Sequence, residues 1–220
     1  MILAAGLGSR MRPLTNHTPK PLLEVGGKPL IVWHIEQLKE AGFTEIVINV
    51  AYLGQQIIDY LGDGSRLGVN IVISDEQNEG ALETAGGILK ALPLLSETFL
   101  VVNGDVWTDY QYKKDFKLSK NILAHLVLVN NPEHNPSGDF YLTGKDEKYT
   151  FSGIGYYSKS FFKGLSYGKQ ALAPLLFSSI DRGEITTEHH RGVWHDIGTP
   201  ERLSTIDEWL TLQFSTSSTK

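Results

Sequence analysis

The segment from Leu3 to Leu22 combines glycines and cations in a spacing that suits a phosphate-binding loop. It reads LAAGLGSRMRPLTNHTPKPL and follows a short apolar run. Gly6 and Gly8 would let backbone N–H groups approach a phosphate without interference from a Cβ atom. Arg10 and Lys20 could then supply positive charge, the first through a planar fork and the second as a point charge. A structural turn after a first strand is the alternative interpretation.

Two common phosphate-binding fingerprints do not fit this segment. A dinucleotide-binding loop requires G-x-G-x-x-G, but Met11 occupies the position of the third glycine. A P-loop requires G-x-x-x-x-G-K-[ST], which the segment also lacks. The segment nevertheless follows a strand-like run, and doubly wound sheets bind their ligands at the carboxyl ends of strands. The position in the chain therefore favours phosphate binding, although neither fingerprint is present.

Two aspartates follow predicted strands in a way that suits a divalent cation. Asp105 follows the run TFLVVNG, and Asp196 lies in WHDIGTP, just before a predicted helix. Mg²⁺ prefers carboxylate and phosphate oxygens, and it can neutralise the charge of a polyphosphate. Capping of a turn or a helix is the alternative role for each aspartate.

Composition and charge limit the classes of function. The chain has 220 residues, a net charge of −5 and no cysteine, which excludes a disulfide framework, a thiolate nucleophile and a cysteine-based zinc site. Its seven histidines do not have the spacing of a zinc site. Residues 1–28 contain four cations against one carboxylate, so the positive charge is local. This distribution favours a small anionic ligand over a nucleic acid.

The N-terminal region and the apolar runs indicate the compartment. No basic region precedes a long apolar run at the N-terminus, so the sequence shows no signal peptide. No apolar run reaches the roughly 18–20 residues that a bilayer-spanning helix needs. We therefore expect a cytoplasmic protein with no membrane partner.

The hydrophobic pattern places these residues in one α/β domain. Predicted strands lie at 1–4, 44–52, 68–74 and 98–105, alternating with predicted helices at 28–42, 54–62 and 82–93. Later predicted elements are strands at 122–132, 139–142 and 149–158, a helix near 171–180, a strand pair within 184–198 and a closing helix at 200–212. The alternation predicts a Rossmann-like mixed sheet, mostly parallel and flanked by helices.

The order of residues in the glycine-rich segment resembles the signature of sugar-1-phosphate nucleotidyltransferases. That signature is commonly written G-x-G-[ST]-R-[ML]-x-P-L-T, followed by P-K-x-L, and about a dozen residues agree. The resemblance implies a GT-A-like nucleotidyltransferase fold. It also implies that Gly6, Gly8 and Ser9 bind the nucleotide, and that Arg10 and Lys20 bind it and act in catalysis.

The same resemblance implies a metal cofactor. Members of the family use a strand-end G-D and a late W-x-D-x-G-T to ligate a metal ion, and these positions are Asp105 and Asp196 here. The implied cofactor is Mg²⁺. Asn103, two residues before Asp105, is a further candidate for binding the nucleotide or the sugar, with a turn-forming role as the alternative.

The segment LETAGG at 82–87 resembles the nucleotide-contacting L-G-T-A-G of the family. It makes Glu83 and Gly86 candidate nucleotide-binding residues, although Glu83 stands where the family usually has glycine. Uracil has an N3–H donor where cytosine has an acceptor, so a carboxylate at this position could favour uracil. A solvent-facing glutamate at a helix start is the alternative.

The later part of the chain resembles family members that act on N-acetylmuramic acid α-1-phosphate. The segments that carry this resemblance are VNGDVWTDY, HLVLVNNPEHNPSGDF, FSGIG, LAPLL and HHRGVWHDIGTPERL. The resemblance implies that UTP and this sugar phosphate are the substrates, in the recycling of peptidoglycan. It also implies that Asp139, Ser152 and Gly153 bind the sugar. Arg191 is the candidate for its lactyl carboxylate, with a solvated surface arginine as the alternative.

Other functions remain open at this point. Another sugar 1-phosphate is possible, such as glucose 1-phosphate with dTTP or UTP, or mannose 1-phosphate with GTP. A regulatory subunit that binds nucleotide without catalysis is a different class, which the retained loop cations and both aspartates disfavour. We expect one domain at 1–212, with a nucleotide-binding half at 1–109, a sugar-phosphate-binding half at 110–212 and a polar tail at 213–220.

Overall fold

The computed structural model describes residues 1–143 and 145–217. Its strands are β1 (Ile2–Leu3), β2 (Glu24–Val25), β3 (Lys28–Pro29), β4 (Glu45–Val50), β5 (Asn70–Asp75), β6 (Thr98–Asn103), β7 (Val106–Thr108), β8 (Ala124–Val129), β9 (Phe140–Tyr141), β10 (Lys148–Ser158), β11 (Ile185–His189) and β12 (Trp194–Asp196). Its α-helices are α1 (Leu30–Glu40), α2 (Gly54–Leu61), α3 (Glu83–Ala91), α4 (Ala173–Asp181) and α5 (Pro200–Ser217).

Within the described residues, eight strands form the central sheet. Seven of them lie in the order β11–β8–β10–β6–β1–β4–β5, and β9 pairs with β10. Neighbouring strands from β6 through β1 and β4 to β5 are parallel, as are β8 and β11. Strand β10 runs antiparallel between β6 and β8. The fold is therefore a mixed α/β domain with a mostly parallel sheet, as the sequence predicts.

Alternate side chains of the central strands pack into two apolar layers. Leu100 and Val102 of β6 pack in the layer that contains α1 and α2. Phe99 and Val101 of the same strand pack with α3 and α4. Successive side chains of a strand point to opposite faces, so this near-continuous apolar strand is covered on both sides.

A third apolar cluster attaches α5 to the glycine-rich segment. Its buried members are Met11, Val25, Leu30, Trp107, Ile197, Ile206 and Leu210. The cluster holds the start of α5 beside the loop that follows β1, although the two are distant in the chain. Among the described helices, none has the length and apolar character needed to cross a membrane.

Three elements differ from the predicted ones. Helix α1 begins at Leu30, because Lys28–Pro29 pairs with β2 in a short hairpin. The two strands predicted within 184–198 do form, but β11 joins β8 and β12 joins β7 rather than each other. Helix α5 continues to Ser217, past the predicted end at Leu212, because no glycine or proline interrupts it. Residues 218–220 of the predicted tail lie outside the described residues.

Candidate active site

The glycine-rich segment leaves β1 at its carboxyl end and is folded into three short 3₁₀ turns. Gly8 has a φ of +61°, a left-handed conformation that glycine adopts without strain. A Cβ atom at Gly8 would lie 3.0 Å from Cγ2 of Thr15, whose hydroxyl donates to the Gly8 carbonyl at 2.8 Å. Gly6 has open space where its Cβ would be. The loop conformation is thus stabilised by its own Thr15–Gly8 hydrogen bond. The open space at Gly6 leaves the backbone accessible to a ligand.

This loop forms one wall of a cavity of about 420 Å³, here called the glycine-loop cavity. The remaining walls come from the carboxyl ends of β4 and β6 and from the start of α3. The predicted site residues that line it are Gly6, Gly8, Ser9, Arg10, Lys20, Glu83, Asn103 and Asp105. The fold therefore gathers residues from three distant segments at one edge of the sheet, where α/β folds bind ligands.

The two predicted catalytic cations differ in their surroundings. Lys20 is buried, and its Nζ donates to Oδ2 of Asp105 at 2.8 Å. Arg10 is exposed and has no hydrogen bond or ion pair with the rest of the described chain. Arg10 is therefore available to an anionic ligand, whereas Lys20 already neutralises a carboxylate.

The two predicted metal ligands come together through β7 and β12. Asp196 pairs with Val106 in register, and the Ile197 N–H donates to the Asp105 carbonyl at 2.8 Å. The Asp196 carboxylate accepts from the guanidinium of Arg202. Residues 1–143 and 145–217 contain no group of three or more histidine or acidic side chains that could hold a metal. A metal here would need the two aspartates and oxygens of a bound phosphate, which is a common donor set for Mg²⁺.

A buried polar chain beneath the glycine-loop cavity was not predicted. The Ala4 N–H donates to Oδ1 of Asn49 at 2.9 Å, and Nδ2 of Asn49 donates to Oε1 of Glu76 at 2.8 Å. The other oxygen of Glu76 accepts from the Leu82 N–H at 2.9 Å. Glu76 has no exposed surface. This chain fixes the distance between the start of the glycine-rich segment and the start of α3.

The LETAGG segment places Glu83 and Gly86 in different surroundings. Glu83 lines the glycine-loop cavity with a φ of +62°, a left-handed conformation that is unfavourable for a residue with a side chain. Gly86 is buried and does not line that cavity. Its N–H donates to the Gln170 carbonyl at 3.1 Å, and its missing side chain lets the Gly168 backbone approach α3.

The predicted sugar-binding residues already make different contacts within the protein. Gly153 packs against Asn103, since a Cβ at Gly153 would lie 2.7 Å from the side-chain amide of Asn103. The buried Ser152 hydroxyl donates to the Val127 carbonyl at 2.7 Å. Asp139 accepts from the side chain of Asn135 and the backbone of Phe151. Arg191 is exposed and does not line either cavity of the site.

A second cavity, of about 730 Å³, adjoins the first and was not predicted. It contains three histidines and is here called the histidine cavity. Its lining comes from 129–134, 190, 192–196, 202 and 205. The only sequence signal was the density of polar and aromatic residues in VNNPEH and HHRGVWH, which gave no spacing to interpret.

The buried His34 and the half-buried His195 at this edge of the sheet both favour the neutral form. Burial lowers the pKa of His34 to about 4, and the negative charge of nearby Asp105 opposes that shift. Burial also lowers the pKa of His195, again opposed by a carboxylate, Asp196. His34 and His195 therefore add little positive charge to that of Arg10 and Lys20.

The sequence profile described as nucleotidyl transferase matches residues 1–142. The chain belongs to the nucleotidyl transferase family. An N-acetylmuramate alpha-1-phosphate uridylyltransferase from Neisseria meningitidis serogroup B is 54% identical over 218 residues, which cover 92% of this chain and 94% of the relative. A protein of the same name from Caulobacter vibrioides is 45% identical over 114 residues, covering 50% of this chain and 47% of the relative.

A solved structure of another protein has the same fold as this chain. It comes from Bacillus anthracis and is assigned as a glucose-1-phosphate thymidylyltransferase. The TM-score is 0.82 at 23% identity, and the match covers 96% of this chain and 94% of the other. The resemblance inferred from the glycine-rich segment is therefore confirmed at the level of the family and the fold.

Proposed function

We propose that this nucleotidyl transferase transfers the uridylyl group of UTP to N-acetylmuramic acid α-1-phosphate. The products are UDP-N-acetylmuramic acid and pyrophosphate, as in the recycling of peptidoglycan. The observation that carries the proposal is the 54% identity, over 92% of the chain, to a relative whose name states this activity. The glycine-loop cavity supports it, because UTP carries a triphosphate and the cavity presents Arg10, Lys20 and open backbone.

The reaction is an in-line displacement at the α-phosphorus of UTP. A phosphate oxygen of the sugar phosphate forms the new bond, and the bond between the α-phosphorus and its bridging oxygen to the β-phosphate breaks. Pyrophosphate leaves with the electron pair. No general base is required, because a phosphate monoester with a second pKa near ~6 is already largely a dianion at neutral pH.

The side chains of the glycine-loop cavity position the reactants and compensate their charge. Arg10, which is free of protein partners within the described chain, binds the triphosphate and then the departing pyrophosphate. Lys20 lies between the loop and Asp105, where its ammonium group can meet both reacting phosphates. Positioning and electrostatic stabilisation of this kind supply most of the catalysis in phosphoryl-type transfers.

Asp105 and Asp196 fit a Mg²⁺ ion as a two-carboxylate donor set completed by phosphate oxygens. Bound Mg²⁺ would neutralise the phosphate charge that accumulates when two anionic substrates meet. Both carboxylates have a cationic partner, Lys20 for Asp105 and Arg202 for Asp196. These partners stabilise the carboxylate of Asp105, just before β7, and that of Asp196, at the end of β12.

Glu83 is the residue that we assign to the choice of base. Its backbone is held in a left-handed conformation that a glycine would adopt more easily, so the side chain is present despite a local cost of about 1–2 kcal/mol. A carboxylate can accept a hydrogen bond from N3–H of uracil and not from the unprotonated N3 of cytosine.

The test is release of pyrophosphate by the purified chain with Mg²⁺ and defined pairs of substrates. N-acetylmuramic acid α-1-phosphate with UTP should give the highest kcat/KM. Glucose 1-phosphate with UTP or dTTP, and mannose 1-phosphate with GTP, should be poor substrates. A preference for glucose 1-phosphate would overturn the acceptor and keep the reaction class, whereas no turnover with any pair would indicate a binding subunit without catalysis.

A further inference from the structure

The two cavities share a wall at one short stretch of chain. Gly198 lines the glycine-loop cavity, and Asp196, two residues earlier, lines the histidine cavity. An acceptor whose phosphate reacts beside Asp105 must extend its sugar into a neighbouring space. The histidine cavity is such a space, and its volume is typical of pockets for small molecules.

The histidine cavity contains one permanently charged cation among its described lining residues, Arg202. Arg202 lies in the first turns of α5, and its Nη1 atom contacts both oxygens of Asp196. The same Nη1 lies 3.4 Å from Nε2 of His134. No described residue bonds to Nε or Nη2, so this edge of the guanidinium is available to a ligand.

The free edge of a guanidinium is suited to a carboxylate. Arginine presents its N–H donors in a planar fork that matches two carboxylate oxygens, and such charge-assisted pairs are stronger than neutral hydrogen bonds. Arg202 is also held in place by Asp196, so less conformational entropy is lost when the ligand binds.

We propose that Arg202 determines acceptor specificity by binding the lactyl carboxylate of the sugar phosphate through Nε and Nη2. This inference rests on the proposed function. It replaces Arg191 as the candidate for that carboxylate, since Arg191 is exposed and lines neither cavity. Trp194 lies in the same cavity and is fixed by a 2.9 Å hydrogen bond from its Nε1 to the Ser152 carbonyl, which gives the sugar a rigid apolar wall.

The experiment compares two acceptors that differ only in the lactyl group, N-acetylmuramic acid α-1-phosphate and N-acetylglucosamine 1-phosphate. For each variant, kcat and KM are measured with UTP, and binding of each acceptor is measured by calorimetry. Arg202→Gln should lower the ratio of the two kcat/KM values by about 10- to 100-fold, mainly through KM, the size expected for a lost hydrogen bond to a charged group. Arg202→Lys should recover part of the ratio, and Arg66→Gln, a remote arginine on the surface, should leave it unchanged.

The acceptor ratio separates this role from a structural one. If Arg202 only positions Asp196, both acceptors lose the same activity and the ratio does not move, which overturns the proposal. An unchanged Arg202→Gln enzyme, or a fall in the ratio with Arg191→Gln instead, also overturns it. If the unmodified protein turns over neither acceptor, the proposed function fails. Calorimetry then still decides whether Arg202 favours binding of the lactyl-bearing sugar.

Discussion

The glycine-loop cavity and the histidine cavity adjoin each other at Gly198, and they are built from different parts of the chain. The first is shaped by backbone: a left-handed Gly8, an open Gly6 and the ends of parallel strands. The second is shaped by side chains from loops and from the start of α5. Every nucleoside triphosphate presents the same phosphates, whereas acceptor sugars differ in their substituents. Under the proposed function, the constant phosphates meet an open backbone loop with its cations, whereas the variable sugar meets side chains from loops and α5.

The polar side chains that hold the two cavities in shape also differ, in how deeply they are buried. Glu76 and Asn49, which hold the glycine-loop cavity together, are buried. The amide side chain of Asn131, which bonds to the Pro136 and Lys148 carbonyls beside the histidine cavity, is exposed. Substitutions near the histidine cavity should therefore change selectivity at a small cost in stability, and those under the glycine-loop cavity should cost stability.

The largest expected effect is loss of turnover on removal of a carboxylate from the glycine-loop cavity. Asp105→Ala should lower kcat by about 10²–10³-fold, as removal of a group that stabilises transition-state charge does. The unfolding temperature should fall as well, because the buried Lys20 loses its carboxylate partner, but the fold should be retained. Asp59→Ala, which removes an exposed carboxylate of α2, is the matched control. Turnover near the normal value in Asp105→Ala would contradict the metal-binding role.

The second expected effect is a loss of stability in mild acid that originates beneath the glycine-loop cavity. The pKa of His34 is about 4 in the folded chain and 6.5 when unperturbed. Between these values the unfolded chain takes up a proton that the folded chain does not, so the free energy of unfolding should fall by up to about 3 kcal/mol as the pH is lowered from 6.5 to 4.

Urea unfolding at several pH values measures this slope. His34→Gln should reduce it and leave the part due to the buried N-terminal amine, whose pKa burial lowers to about 5. Glu188, whose pKa is lowered to about 2 mainly by the neighbouring His125 imidazole, 3.8 Å away, loses its contribution only as the pH falls below 4.5. A slope that persists unchanged in His34→Gln would show that another group titrates in this window.

The third expected effect is destabilisation by a single atom change in the buried polar chain. Glu76→Gln places an N–H₂ group against a donor, either Asn49 or the Leu82 N–H, and should lower the free energy of unfolding by about 1–3 kcal/mol. Asn131→Ala, beside the histidine cavity and exposed, should lower it less. Equal losses of free energy of unfolding in the two variants would show that the buried polar chain contributes no more to stability than the exposed Asn131.

The smallest expected effect is at Glu83. Glu83→Gly relieves the left-handed strain and makes the unfolded chain more flexible, so stability should change by no more than about 1 kcal/mol, in the favourable direction. The preference for UTP over CTP in a competition assay should fall. Glu83→Gln keeps the strain and one acceptor oxygen, and should retain part of that preference. An unchanged preference in Glu83→Gly would exclude a role of Glu83 in base selection.

The sequence allowed prediction of those parts of the site that lie in one continuous segment or directly at a strand end. Gly8, Lys20 and Asp105 are of this kind, because a loop after β1 and a turn after β6 must meet at the same edge of a parallel sheet. Gly86 was predicted to bind the nucleotide from the resemblance of LETAGG to a family segment; in the structure it is buried outside the glycine-loop cavity and packs closely against the segment around Gly168. A glycine can serve either purpose, and only the three-dimensional neighbours distinguish them.

Arg202 and Glu76 could not be predicted, for two physical reasons. The position of Arg202 depends on how α5 packs through the third apolar cluster, which no local pattern specifies. Glu76 reads as one of several acidic residues in a polar loop, and its burial follows from its partners Asn49 and Leu82. Tertiary packing decided both.

Gly198 leaves open the space in which side chains of the two cavities approach each other. A Cβ atom at this position would lie 3.0 Å from both Asp196 Oδ2 and Arg202 Nη1, and 3.5 Å from Nη1 of Arg10. The guanidinium groups of Arg10 and Arg202, which we propose bind different substrates, thus lie close together beside one glycine. Neutralising one of them by a bound anion changes the electrostatic potential felt by the other, so under the proposed roles we expect the two substrates to be energetically coupled. By thermodynamic linkage, each must alter the affinity for the other by the same factor.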